Sequence, residues 1–137
     1  MTWRNRETGA LTLSYVLIVP VFMVGILTVV QASIWYLGRE TVLAAARHGA
    51  DVARTAQLPP GQGAQAAMDF ATSSTPGFLS HVSATTRGST AATVRVVVSA
   101  RIPALVPGLV IHVREAVTAP VERFVALGFQ VRHDAPS

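Results

Sequence analysis

Four histidines, seven carboxylates and a scatter of serines are the side chains through which this 137-residue sequence could do chemistry. His48, His81, His112 and His133 are the metal-ligand and proton-transfer candidates, but they are widely separated and no cysteine joins them. A metal site needs ligands at paired spacing, so solvated histidines are the reading that fits. Glu115 and Glu122 are the nearest carboxylates toward the end of the chain. In an extended strand of about 3.3 Å per residue they stand more than ~20 Å apart, too wide for a glycosidase pair unless the chain turns at Pro120. No serine lies in a GxSxG elbow, and no glycine-rich loop is spaced to cradle phosphate. The sequence therefore reads as non-enzymatic, with no catalytic residue, metal or cofactor.

The pattern of charge carries more information than any single reactive group. In RNRETGALTLSYVLIVPVF, at residues 4–22, charge stops at Glu7 and does not return until Arg39. The uncharged stretch from Thr8 to Gly38 exceeds the roughly 20 apolar residues with which a helix crosses about 30 Å of hydrocarbon. A secretory signal has a shorter apolar region, about 7–15 residues, and the rest of the chain is too short to wrap an all-apolar helix as a core. Arg4 and Arg6 flank the amino side of the span, which places that end in the cytoplasm; Arg39 and Arg47 on the far side pull weakly the other way. Trp35 and Tyr36 are suited to the headgroup layer and mark where the helix leaves the bilayer. The expected organisation is a cytoplasmic leader at 1–9, a transmembrane helix at 10–38 and an extracytoplasmic domain at 39–137. The chain would then be a single-pass protein of the cell's inner, or cytoplasmic, membrane.

A formal charge of +4 and a pI near 11.1 invite a nucleic-acid reading. The arginines are scattered, at Arg39, Arg54, Arg87, Arg95, Arg101, Arg114, Arg123 and Arg132, and form no compact patch interleaved with aromatics. No nucleic-acid partner is expected. The absence of cysteine excludes a disulfide framework and fits either side of a membrane.

Past Gly38 the helical pattern becomes amphipathic, with Val42, Ala45, Ala46, Gly49, Ala53 and Ala56 on one side and Arg39, Glu40, Arg47, Asp51 and Arg54 on the other. Ala45, Gly49 and Ala53 repeat small residues every four positions, a helix-packing face that lets another backbone come close. That face packs either on the protein's own sheet or on another subunit. QLPPGQG at 57–63 ends the helix, and a second, short helix follows with Ala64, Ala67, Met68 and Ala71 at spacings of three and four, stopped by SSTPG at 73–77. Strict alternation in ATVRVVVSARI at 92–102 predicts a half-buried strand. LSHVSATT at 79–86 is a weaker strand joined to it through RGST at 87–90, and a third strand follows PALVPG at 103–108. Glu115 breaks the phase of that third strand, which predicts a bulge there. Residues from Phe124 on are open between a short strand and a frayed tail. The fold class is α+β: a long amino-terminal helix continuing out of the membrane and packed on a small antiparallel sheet.

Taken in order, GALTLSYVLIVP in the span, AAARHGADVA at its exit and VRVVVSARIPALVPGLVIHVREAVTAP in the strand pair resemble the TadE/TadG-like family of tight-adherence, Flp-type pilus assembly proteins. The resemblance implies a pilin-like fold and a non-enzymatic role as a minor pseudopilin in assembly of a type IV-like pilus or related secretion apparatus. It also implies as partners the lipid bilayer, other pilin-like subunits and the assembly platform. In the wider type IV pilin superfamily a membrane prepilin peptidase removes a short basic leader that ends in glycine. By position, Gly9 would end that leader and Ala10 would begin the mature chain. Such pilins usually carry glutamate five residues into the mature chain, where it offsets a neighbour's new amino terminus. Here the position is Ser14, which has no charge to offer a buried ammonium, so entry into a filament core is in question. The alternative is an uncleaved single-pass anchor whose outer domain binds a partner.

Overall fold

The computed structural model describes residues 6–55 and 59–121. The chain opens with α1 (Arg6–Thr55), turns into α2 (Pro60–Ser74), and continues through β1 (Ser80–Thr85), β2 (Thr93–Ile102) and β3 (Ile111–Pro120). At 1.5 Å per residue α1 is about 75 Å long, more than twice the hydrocarbon thickness of a bilayer. Two hydroxyl groups of its apolar half turn back onto the helix: Thr28 Oγ1 donates to the Val24 carbonyl at 2.7 Å, and Ser33 Oγ to the Val29 carbonyl at 2.9 Å. That arrangement satisfies polar groups on an otherwise apolar rod. Pro20 lies inside α1 and supplies no N–H to the ladder. Among the described residues, the helix runs without a break through the expected boundaries near residues 9 and 38.

The proline pair after α1 starts the next helix. Pro60 occupies the first turn of α2, where a missing N–H costs nothing, and Gln62 N donates to the Pro59 carbonyl at 2.9 Å. SSTPG closes α2 as its sequence predicts, with Phe78 N bonded to the Thr75 carbonyl at 3.1 Å across a turn led by Pro76.

The three strands form one antiparallel sheet in the order β1-β2-β3. β2 and β3 pair without interruption from Thr93↔Pro120 to Ile102↔Ile111. The bulge predicted at Glu115 is therefore absent. Glu115 pairs with Val98 and keeps the phase of Val113 and Val117, on the side of the sheet that faces α1. It stays on that face because a cation on α1 meets it, as described below. Among the described residues, the one register shift falls between Ser80 and Ser83 in β1, where His81 takes φ +50°.

Alternating residues of β2 supply the sheet's half of the core: Val94, Val96, Val98, Ala100 and Ile102, all at most 5% exposed. α1 contributes Val42, Ala45, Ala46, Ala50 and Ala53, and α2 adds Ala67 and Ala71. The architecture is α+β, with two helices against one face of a three-stranded sheet.

Candidate functional site

Two surfaces of α1 carry the features that function can use, and the first is the bare apolar span. Every residue from 15 to 30 is exposed, including Leu17 at 71% and Phe22 at 68%. The helix is long and apolar enough to cross a membrane, and none of its most apolar window is buried within the protein. In water that surface would be a large penalty at about 25 cal/mol per Å² of apolar area, whereas in lipid it is matched.

At the top of the span the helix is tied to the head by polar contacts. The Arg39 guanidinium lies 6.0 Å from the Trp35 ring centroid, and its Nε donates to Glu115 Oε1 at 2.7 Å. The hydrogen bond and charge of Glu115 raise the Arg39 pKa above its usual value, which favours the charged guanidinium. One turn below Trp35, Gln31 Oε1 accepts a 2.7 Å hydrogen bond from the Leu105 amide in the β2–β3 connection. Gln31 Nε2 is buried and has no acceptor among the described residues.

The second surface is the small-residue face of α1. Ala45, Gly49 and Ala53 are buried, and α2 of the same chain covers Gly49 and Ala53. A Cβ at Gly49 would run into the Gly63 carbonyl oxygen and come within 2.7 Å of Ala67 Cβ. Reciprocally, a Cβ at Gly63 would lie 2.6 Å from the Gly49 oxygen and 2.7 Å from Ala53 Cβ. The two helices thus cross backbone to backbone at a pair of glycines. Gly63, which stands at the end of the QLPPGQG stretch, is the partner that sequence reasoning missed. Its spacing of four from Ala67 and eight from Ala71 repeats the Ala45, Gly49, Ala53 pattern and was the available signal.

Gly9, Ala10 and Ser14 all lie within the first turns of α1. His48 stacks obliquely on Phe70 with ring centroids 5.1 Å apart, and His112 Nε2 accepts from Arg101 Nε at 3.2 Å on the outer face of the sheet. His81 sits at the irregularity in β1, while His133 and Glu122 lie outside the described residues. Among the described residues, no three histidine, aspartate or glutamate side chains gather where a metal ion could be held.

A long helix with one bare apolar half and one half packed beneath a small sheet defines the coarse class: it fits a single-pass membrane protein with an α+β head. Residues 9–51 match the family model described as TadE-like protein, the tight-adherence pilus family that the sequence resembles. The match covers the whole apolar half of α1 and most of its packed half. No curated protein and no solved structure matches the chain.

Proposed function

We propose that this protein is a non-enzymatic, pilin-like minor pseudopilin that takes part in assembling a tight-adherence pilus or a related secretion apparatus. The observation that carries the reading is the continuity of α1: one helix offers a bare apolar surface below Trp35 and a packed face above Gly38, and the TadE-like match spans both. In this reading Arg4 and Arg6 keep the amino end in the cytoplasm, and the head projects outside the inner membrane. The bare apolar half packs against lipid and against the equivalent helices of pilin-like subunits and the assembly platform.

Processing by a prepilin peptidase would cut between Gly9 and Ala10. Both are helical here, so cleavage requires the first turns of α1 to unwind, and glycine lowers the cost of doing so. Ser14 in place of the usual glutamate favours an accessory subunit over a major filament subunit, because a hydroxyl cannot neutralise a neighbour's ammonium in lipid. That same serine supports a second reading, an uncleaved anchor whose head binds a partner outside the membrane.

Amino-terminal peptide mass spectrometry of the protein purified from its native membrane separates the two. A chain that begins at Ala10 supports prepilin-type processing; one that retains Arg4 and Arg6 transfers the assignment to the permanent anchor.

A further inference from the structure

The connection between β2 and β3, PALVPGLV at residues 103–110, holds no charged side chain, and Leu105, Val106, Leu109 and Val110 are each 44–59% exposed. Surface loops in water are rich in polar turn formers, so a loop of this composition is mismatched to an aqueous setting. It is also placed away from one. The Leu105 amide is tied to Gln31 on α1, and Val106 and Ile111 line an apolar recess of about 480 Å³ together with Val24, Leu27, Thr28 and Trp35. Gln31 lies four residues before Trp35, about 6 Å further down the helix at 1.5 Å per residue. The loop therefore reaches below the aromatic residues that mark the headgroup level.

We propose that the β2–β3 loop inserts into the leaflet on the head-domain side, with Leu105, Val106, Leu109 and Val110 among the acyl chains beside α1. The inference rests on the membrane-spanning reading of α1, and continuity with that apolar surface is what assigns lipid as the occupant. Part of the loop backbone is prepared for the setting. Peptide groups in lipid must be satisfied internally, and Pro103 and Pro107 bring no N–H that would need a partner. Leu109 N closes onto the Val106 carbonyl at 3.2 Å, in a turn with Pro107 at its second position and Gly108 at φ +84° at its third. Gln31 satisfies the Leu105 amide, which accounts for a carboxamide on an otherwise apolar helix.

The chain contains no cysteine, so single-cysteine variants report without background. Full-length Val106→Cys would carry an environment-sensitive fluorophore in phosphatidylcholine–phosphatidylglycerol vesicles. Val21→Cys serves as a mid-span reference and Ala92→Cys, exposed between β1 and β2, as an aqueous one. Nitroxide-bearing lipids should quench positions 106 and 21 several-fold more than position 92, and aqueous iodide should reach only position 92. Iodide quenching at 106 equal to that at 92, with 21 still protected, overturns loop insertion and leaves the span intact. Iodide reaching 21 as well brings down the spanning reading and this inference with it. Protection of 106 from both quenchers means that protein covers the loop, such as a second copy of the chain, and overturns lipid as the occupant.

Discussion

The two halves of α1 use side-chain size in opposite ways. Below Trp35 the helix carries Leu17, Val21, Phe22, Ile26 and Leu27, all large and all exposed. Above Gly38 its inward face, beyond Val42, is built from Ala45, Ala46, Gly49, Ala50 and Ala53, all small and all buried. A soluble domain keeps its large apolar residues inside. Here a fluid of acyl chains adapts to any shape, so large side chains suffice below, whereas α2 and β2 are fixed neighbours whose close approach demands the smallest ones above. Burial on this helix is therefore decided by what surrounds each turn, and hydrophobicity alone does not distinguish the halves.

The same substitution in each half is the strongest way to break this comparison. Leucine at Gly49 has no space against Gly63 and Ala67, so it should cost about 3 kcal/mol or more in denaturation of the protein in detergent micelles. Leucine at Gly25, where nothing lies within 4 Å, should be neutral or gain up to ~1 kcal/mol from helix propensity. Equal effects at the two positions would erase the distinction. Next in size, Ile26→Asp places a charge in the exposed apolar half and should weaken membrane insertion by roughly 2.5–3.5 kcal/mol, read as a larger soluble fraction on expression, while leaving the head's packing unchanged. Val96→Ala empties fully buried volume in the sheet and should cost about 2 kcal/mol, with no change in membrane partition. Smallest of all, Glu115→Gln should lower the melting temperature by less than Val96→Ala does, and the difference should shrink at high salt because the Arg39 pair is partly exposed.

Much of this was legible in the sequence where a period was long and uninterrupted. The thirty-odd uncharged residues before Arg39 announce the span, and the alternation of Val94, Val96, Val98, Ala100 and Ile102 announces β2 and its inward face. Glu115 misled because a charge at an inward position looks like a slip of register, and only the tertiary structure supplies Arg39 to meet it. Gly63 was hidden for a different reason. Two prolines before it draw attention to a helix end, while its use is set by Gly49, fourteen residues earlier. The apolar β2–β3 loop read as a simple break, since its prolines and glycine mark turns in water and in lipid alike. Gly9, Ala10 and Ser14 belong to another category: the processing role proposed for them would be read by an enzyme, and such a role leaves no packing trace in the chain.

Pro20 gives α1 a mechanical character. Its missing N–H leaves the Val16 carbonyl without a ladder bond, so the helix yields most easily there, in the leaflet remote from the head. Above that point the ladder is continuous to Thr55, and the Gly49–Gly63 crossing and the Arg39–Glu115 pair fasten the head to it. The arm from Pro20 to Thr55 is about 52 Å at 1.5 Å per residue, so a bend of about 10° at the proline sweeps its far end by roughly 9 Å. A pull on the head is delivered as torque at that pivot, in the leaflet away from the one beneath the head.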